Sequence, residues 1–314
     1  MNITQHLSVP SHSAPRNPTI LRAEEQYLIH LRNIHENGTD VYNTRTGKFT
    51  RVIINADMTY DASTNKAPLM TTRRIVNPNL SIAELLGYFK GVKSAAEFRE
   101  LGTKSWDDNA NVNAAWLANP NRKGVDDCGL IYGGVAKDWP VIDDNFGYQS
   151  ATGSIDLFHK VYNNLKNGID DRGEIITFWN PGMFHLGCLR PCMYEHQFSL
   201  LGDDLYLNST QRSNDWPLGC TANMVQVWLM LRLMAQITGK NPKIAQHRSV
   251  NAHIYDNQLD LVPTQLERSP LIEPTIDINP EIKTLEDIET WVTVKDFVVT
   301  YPEYHPPIKY PFAV

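Results

Sequence analysis

The most apolar long stretch of the chain is ANMVQVWLMLRLMAQIT, at residues 222–238. Apolar residues fall on nearly every side of the helix that this stretch would form, which is typical of a helix buried in a core. Gly239 and Pro242 follow it and indicate where it ends. Because Asn, Gln and Arg interrupt the stretch and it is short for a membrane span, we predict a buried central helix.

Hydrophobic periodicity predicts further helices and strands along the chain. The helices are predicted at residues 22–36, 80–91 and 153–168. The strands are predicted at residues 51–56, 174–180, 195–201 and 204–213. A Gly-Asp turn separates the last two strands, so these strands are expected to form a hairpin.

Capping residues indicate the ends of two of these helices. Ser81 is the expected N-cap of the second helix, and Glu84, three residues later, would complete a capping box. Ser154 is the expected N-cap of the third helix, and Gly168 is its expected end.

The order of the elements predicts one α+β domain, in which a large sheet packs under the buried central helix. Residues 1–20 are polar and contain prolines, so we expect a loose N-terminal arm and then a single domain at residues 21–314. Residues 108–128 are rich in Asn, Asp and Gly and are expected to form a loop or an insertion. Residues 262–314 carry many prolines and are expected to be irregular around short strands.

Charge and cysteine content narrow the classes of function. The chain has 314 residues and a net charge of −6, so it does not indicate a general nucleic-acid-binding surface, and an anionic substrate would need a local cluster of arginines. The N-terminus lacks the apolar core of a signal peptide, and the 4 cysteines form no secreted-type framework, so a reducing cytoplasm is expected. Cys188 and Cys192 have the spacing of a metal pair, but no His/Cys partner pair stands nearby, so no metal is expected.

Cys192 is a candidate nucleophile. It follows a proline directly before a predicted strand, where a thiol can be held at the edge of a sheet. A lone cysteine is more often part of a core, and chemistry requires a thiolate with positive charge nearby. Arg212 ends the next predicted strand. The hairpin would bring its guanidinium near Cys192; the alternative is an exposed strand residue.

Three further residues are candidates for binding. Asn223 lies in the first turn of the buried helix, where an amide is costly unless it is paired, and it could equally be a capping partner. His253 and Tyr255 are two residues apart and would share one face of an extended segment. That pair alone is a weak indication of a site.

A series of motifs from Glu24 to Val314 resembles the thymidylate synthases and the related pyrimidine nucleotide hydroxymethylases. The motifs are TRTG (44–47), APLMTTRR (67–74), AELLGYF (83–89), SWDD (105–108), YGG (132–134), RPCM (190–193), QRSNDWPLG (211–219), HIY (253–255) and the C-terminal YHPPIKYPFAV. Because they follow the family's order over nearly the whole chain, the resemblance is far more specific than any single motif. It implies a large mixed sheet and a homodimer formed sheet to sheet.

The resemblance implies transfer of a one-carbon unit from 5,10-methylenetetrahydrofolate, the co-substrate, to C5 of a pyrimidine nucleotide, most simply dUMP. Cys192 would add to C6 of the base as a thiolate, which Arg212 would favour. Arg45 and Arg172 would bind the phosphate together with Arg212, and one or two arginines would come from the partner subunit of the homodimer.

The other implied roles divide among base, ribose, catalysis and folate. Asn223 would bind uracil O4 and N3–H, since an amide both donates and accepts. Glu84 would organise water and proton transfers, with its capping role left open. The remaining residues implied for catalysis or the nucleotide are Tyr132, Gln211, Ser213, His253 and Tyr255. The residues implied for folate are Trp106, Asp215, Gly219 and Val314.

Some residues depart from the pattern that is usual in the synthases. These residues are Gly87, Asn109, Gly173, Met193, Asn214, Ala222 and Asn251. Met193 replaces a histidine, and Asn214 resembles the viral dCMP hydroxymethylases, whereas Asn223 is the residue that suits uracil. In a synthase, tetrahydrofolate gives a hydride to an exocyclic methylene that has formed on C5 of the base. Because Gly87 and Asn109 stand where tryptophans are usual, water could reach this methylene and add to it in place of the hydride.

These departures favour a dUMP hydroxymethylase, of the kind that viruses use to make modified DNA, acting in the host cytoplasm to form 5-hydroxymethyl-dUMP. One alternative is a thymidylate synthase, which forms dTMP and dihydrofolate. A second alternative is a family member that binds nucleotide or RNA without turnover, but Cys192, Arg212 and Glu84 argue against it. Neither a membrane nor a nucleic acid is expected as a partner.

Overall fold

The computed structural model of the chain describes residues 20–44, 47–74, 78–142 and 151–312. Residues 1–19 of the predicted arm lie outside this part of the chain, as do the predicted site residues Arg45 and Val314.

The described residues form ten α-helices and eleven strands, with runs of consecutive helices and of consecutive strands. The helices are α1 (Ala23–Asn37), α2 (Asn79–Lys90), α3 (Ala95–Leu101), α4 (Asp107–Asn111), α5 (Ala114–Leu117), α6 (Tyr132–Ala136), α7 (Leu157–Lys166), α8 (Thr221–Thr238), α9 (Val262–Leu266) and α10 (Leu285–Thr290). The strands are β1 (Thr39–Asn43), β2 (Lys48–Asp61), β3 (Trp139–Ile142), β4 (Ala151–Ile155), β5 (Ile175–Thr177), β6 (Met193–Leu201), β7 (Asp204–Gln211), β8 (Asn214–Asp215), β9 (Asn241–Tyr255), β10 (Thr275–Ile278) and β11 (Phe297–Thr300).

One large sheet has the strand order β1-β2-β9-β7-β6-β5, with β8 beside β9. Its strands pair antiparallel except that β7 and β8 run parallel to β9. The hairpin of β6 and β7 turns at Gly202, whose φ of 65° favours glycine. The predicted α+β class with a large mixed sheet and the predicted hairpin are both confirmed.

The apolar helix α8 lies in the core, where it contacts β7, β9, α2 and α7. Residues 227–231 in its centre are 0% exposed. It ends at Gly239, which adopts the left-handed conformation at a φ of 68°. By length and composition Trp216–Thr238 could cross a membrane, but 72% of its most apolar window is buried inside the protein, as the prediction of a central core helix requires.

Both predicted N-caps are wrong. Helix α2 begins after Pro78, so Ser81 lies inside the helix and no side-chain cap bond forms. Helix α7 begins after Asp156, whose carboxylate accepts the His159 N–H at 3.1 Å. Ser154 instead belongs to β4, where it pairs with β3. In α7 the acidic Asp156 side chain is favoured because it meets the positive end of the helix dipole.

Residues 108–128 are not a plain loop, because they contain most of α4 and all of α5. Arg99 ties the two ends of this region together, with 2.6 Å contacts to the carboxylates of Asp107 and Asp126. The C-terminal region is less irregular than expected, since it holds α9, α10 and the β10–β11 pair.

Gly87 lies in the middle of α2 directly against the ring of Phe98. A Cβ added at Gly87 would lie 2.1 Å from Phe98 Cε1 and 2.8 Å from Cδ1. The Phe98 ring is 0% exposed and stacks on Trp106 at a centroid distance of 5.6 Å. Phe98 therefore occupies the space that a side chain at position 87 would need.

This packing predicts that Gly87→Ala destabilises the protein, although alanine is the better helix former. The added methyl has to displace a buried ring, so the free energy of unfolding should fall by about 1–3 kcal/mol in urea titrations. Gly153→Ala is the control, because a Cβ there meets nothing within 4 Å, and it should stay within about 0.5 kcal/mol of the parent. A Gly87→Ala variant as stable as the parent would contradict the close contact between position 87 and the Phe98 ring.

Candidate active site

Cys192 lies directly before β6, within reach of a guanidinium. Arg212 Nη2 is 3.9 Å from Cys192 Sγ, and the two backbones are joined by the Arg212 N–H bond to the Cys192 carbonyl at 2.9 Å. Arg212 also donates to the carbonyls of Pro191 at 2.9 Å and Arg190 at 3.2 Å, and it lies over the ring of Trp179. These contacts fix a positive charge beside the half-buried thiol, as the hairpin predicts.

Tyr132 supports Cys192 from the other side. Its hydroxyl accepts the Cys192 backbone N–H at 2.9 Å. Its ring stacks on Tyr88 at 4.5 Å and meets the edge of Trp106 at 5.7 Å. Burial raises the pKa of Tyr132 well above its usual range, so the hydroxyl stays protonated at neutral pH. Trp106 itself is only 3% exposed and belongs to the same aromatic cluster.

Glu84 points from α2 to polar partners rather than to its own helix terminus. Its carboxylate accepts from Ser105 Oγ at 2.9 Å and from Gln226 Nε2 at 2.7 Å. Burial raises the pKa of Glu84, while these hydrogen bonds oppose the shift. The group is thus prepared to exchange a proton nearer to neutral pH than an exposed glutamate would be.

Asn223 is bonded on both sides in the first turn of α8. Its Oδ1 accepts from Gln211 Nε2 at 3.0 Å, and its Nδ2 donates to Gln226 Oε1 at 2.9 Å. An amide has two N–H groups and two oxygen lone pairs, so one donor and one acceptor are left for a ligand. Asn223 is therefore not the helix cap that the alternative interpretation required.

These residues form a closed sequence of contacts, which we call the contact ring. One half passes from Cys192 to Arg212, along the backbone to its neighbour Gln211, and then through Asn223 and Gln226 to Glu84.

The other half of the contact ring passes from Glu84 through Ser105 and its neighbour Trp106 to Tyr132, which bonds Cys192. The ring brings a nucleophile, a fixed positive charge, an amide and an acid together. That set suits addition of a thiolate to a polar heterocycle followed by proton transfer.

Asp215 links the beginning of α8 to the C-terminal segment. Its carboxylate accepts from the Leu218 N–H at 3.3 Å and from Gln258 Nε2 at 3.3 Å, and Gln258 also donates to the Pro311 carbonyl at 3.0 Å. Burial raises the pKa of Asp215 to about 6. Gly219 lies nearby, and a Cβ there would make an ordinary contact of 3.8 Å with Asn223 Oδ1.

His253 and Tyr255 lie on β9, as predicted, with their rings at 5.2 Å in an edge-to-face arrangement. His253 pairs with Asp215 in the β8–β9 register, which brings it to the same end of the sheet. Its Nδ1 bonds Asn251 Oδ1 at 2.9 Å, so the asparagine that replaces an aspartate still orients the imidazole. Ser213 is half-buried beside Arg212, and its carbonyl accepts from Gln211.

Arg172 does not join this arrangement within one chain. It lies exposed in the turn between α7 and β5, at a φ of 68°. Its backbone N–H donates to Asp170 at 2.8 Å, and its carbonyl accepts from Gln197 at 3.4 Å. Among the described residues, Arg212 makes its side-chain bonds to Pro191, Arg190 and Cys192, not to Arg172.

Of the described residues, Asp156, His159 and Glu289 are close enough together to hold a metal ion. The ammonium of Lys137 bonds both carboxylates and lies 2.8 Å from Asp156. This cluster is accordingly an ion-pair network, in which the Lys137 ammonium bonds both carboxylates and offsets one of their two negative charges.

Sequence reasoning missed the residues that orient the site. Gln226 and Ser105 fix Glu84, and His247 bonds Gln211 Oε1 at 2.9 Å. Gln226 had a detectable signal, because it is an amide one helical turn after Asn223 in an otherwise apolar helix. Ser105 lies in the SWDD motif but was given no role, and His247 had no such signal.

Comparison with known proteins agrees with this geometry. The chain matches the thymidylate synthase family over residues 25–314. It is 55% identical over 291 residues to a thymidylate synthase of Vibrio cholerae, covering 92% of this chain and 100% of that protein. A thymidylate synthase of Shewanella frigidimarina is 56% identical and one of Glaesserella parasuis 55% identical, with the same coverage. A match of this extent and identity shows that the chain belongs to the thymidylate synthase family.

Proposed function

We propose that the chain is a thymidylate synthase, which converts dUMP and 5,10-methylenetetrahydrofolate to dTMP and dihydrofolate. The observation that carries the proposal is the contact ring, with the Arg212 guanidinium 3.9 Å from the Cys192 sulfur. The relatives of 55–56% identity are named thymidylate synthases, which supports a thymidylate synthase over the dUMP hydroxymethylase that the residue departures favour.

A hydroxymethylase would need the space of the missing tryptophans at positions 87 and 109 to be open to water. At position 87 that bulk is not lost, because the Phe98 ring fills the space and stacks on Trp106. Met193, which replaces a histidine, is 2% exposed and packs in the core. Packing that excludes water at position 87 favours hydride over water as the group that reaches the exocyclic methylene.

Cys192 begins the reaction by adding to C6 of the uracil, which makes C5 a nucleophile toward the methylene of the folate. The fixed positive charge of Arg212 stabilises the thiolate and is available to the nucleotide phosphate. Tyr132 holds the Cys192 backbone through its hydroxyl. The C5 proton then leaves as the C–N bond between the transferred methylene and tetrahydrofolate breaks, which gives an exocyclic methylene. A hydride from tetrahydrofolate reduces that methylene to the methyl group and leaves dihydrofolate, after which the C6–S bond breaks and frees Cys192. Glu84, through water, is our candidate for the proton transfers.

The other predicted residues keep their roles as proposals. Ser213, His253 and Tyr255 are assigned to the nucleotide, and Gln211 supports Asn223. Trp106, Asp215, Gly219 and the terminal Val314 are assigned to folate, since Gln258 couples Asp215 to the C-terminal segment. The exposed Arg172, together with Arg45, suits a phosphate site of the partner subunit in a homodimer, and the cytoplasm remains the proposed location.

Replacing the nucleophile tests the covalent step. Cys192→Ala should abolish turnover but leave dUMP binding within about tenfold, because the phosphate and base contacts survive. Tritium release from C5 of labelled dUMP and calorimetric binding measure the two effects. Cys220→Ala is the control, since this thiol is 0% exposed in the core. C5 exchange in the Cys192 variant at the parent rate would mean that another group adds to C6.

Product analysis tests the methyl transfer. Mass spectrometry of the nucleotide should find dTMP, with dihydrofolate formed in equal amount and followed by absorbance. Phe98→Ala should raise the share of 5-hydroxymethyl-dUMP, since a barrier change of about 1.4 kcal/mol shifts such a partition tenfold. Phe158→Ala is the control, because that equally buried ring packs on Phe89. If the parent protein forms mainly 5-hydroxymethyl-dUMP and tetrahydrofolate, the function is that of a hydroxymethylase and the proposal is wrong.

Exchange of the base-binding amide tests the choice of substrate. Asn223→Asp should weaken dUMP by about 1–3 kcal/mol and improve dCMP relative to it, since a carboxylate accepts from the cytosine amino group and repels uracil O4. Dissociation constants of the two nucleotides, measured on both proteins, check this. If the ratio of the dUMP and dCMP dissociation constants is unchanged in the variant, Asn223 does not take part in recognition of the base.

A further inference from the structure

Asn223 stands in the middle of a longer buried chain of hydrogen bonds. Toward the sheet, Gln211 Oε1 is 2.9 Å from His247 Nε2, and His247 Nδ1 is 2.9 Å from the Tyr60 hydroxyl. Toward α2, Gln226 connects Asn223 to Glu84. Tyr60, His247 and Gln211 are no more than 2% exposed, so bulk water is not available to replace a lost partner.

The direction of the bonds on the sheet side follows from one fixed acceptor. Gln211 Nε2 lies 3.0 Å from the Ser213 carbonyl, which can only accept, so the amide nitrogen has to face it and Oε1 has to face His247. His247 Nε2 therefore carries a hydrogen. Burial lowers the pKa of His247 to about 3, so the ring is neutral, its Nδ1 accepts, and the Tyr60 hydroxyl donates.

The direction on the α2 side is fixed in the same way. Gln226 Nε2 lies 2.7 Å from the Glu84 carboxylate and 3.4 Å from the Ser81 carbonyl, so Gln226 Oε1 faces Asn223. Every bond from Tyr60 to Glu84 then runs in one direction. Asn223 is left with Oδ1 toward Gln211 and Nδ2 toward Gln226.

This orientation decides which base edge Asn223 can match. The remaining N–H suits uracil O4, and the remaining lone pair suits uracil N3–H. Cytosine presents an amino group and an unprotonated N3, so it needs the amide turned over. A turned amide would set donor against donor at Gln211 and acceptor against acceptor at Gln226.

We propose that Tyr60 and His247 are positioning residues which, through Gln211, hold the Asn223 amide in the orientation that selects uracil over cytosine. The inference rests on the proposed function, because it concerns the base bound at that site. Without the His247 donor, Gln211 Oε1 is buried and unpaired. Gln211 then turns toward another partner, and the amide of Asn223 keeps only its anchor at Gln226.

The test compares dissociation constants of dUMP and dCMP, measured by calorimetry on the full-length chain. In His247→Phe the ratio of the dCMP to the dUMP dissociation constant should fall about tenfold, which is the usual size of the effect when one polar group loses its hydrogen-bond partner. His247→Gln should restore most of it, since a glutamine nitrogen can reach the position of Nε2. Tyr60→Phe should narrow the preference by less, because it removes only the donor to Nδ1.

His196→Phe is the matched control. This imidazole is 1% exposed, its pKa is likewise lowered to about 3 by burial, and it bonds Ser209 Oγ at 2.7 Å instead of Gln211. The control should lose stability in thermal melts yet keep the dUMP/dCMP ratio of the parent. Equal narrowing in the control would show a general packing effect and overturn the proposal.

A folded His247→Phe variant with the parent ratio would also overturn it. If that variant does not fold, the Tyr60→Phe ratio decides: narrowing supports the proposal, and the parent ratio refutes it. A parent protein that binds neither nucleotide, or does not prefer dUMP, would instead contradict the proposed function.

Discussion

The burial of α8 is the constraint on which the rest of the site depends. The helix is surrounded by the sheet and by other helices, so the polar groups along its buried length need partners inside the protein. Asn223 and Gln226 carry such groups in its first two turns, and they find partners in Gln211 and Glu84. The cost of leaving these amides unpaired fixes their orientation, and that orientation in turn fixes what the site can recognise.

The same principle of full packing explains one departure from the usual family pattern, the glycine at position 87. A glycine at position 87 does not leave a hole, because Phe98 enters from α3 and stacks on Trp106. Interiors are close-packed, so a small residue at one position is commonly matched by a large one from another element. A single residue read in isolation therefore says little about whether water enters the folate side.

The sequence predicted elements better than their ends. Strong periodicity located α8, α7 and the β6–β7 hairpin, because burying one face of an element imposes its period on the residues. The caps were misassigned because several residues near each terminus can cap equally well. The two helices begin after Pro78 and Asp156 instead, and the terminal residue of a helix is the part that a sequence pattern locates least sharply. Because α2 begins at Asn79, Glu84 is not part of a capping box, and its carboxylate belongs to the contact ring.

By itself, the sequence determined the α+β class, the central helix and the family, because motif order and hydrophobic period depend only on the order of residues along the chain. It also pointed to Cys192 and Arg212 as neighbours, since a hairpin relates two adjacent strands by a short turn. Only the tertiary structure decided how Glu84, Asn223 and His247 are joined. Their bonds connect residues more than a hundred positions apart or depend on rotamers and tautomers, and such choices are made when the whole core closes around them.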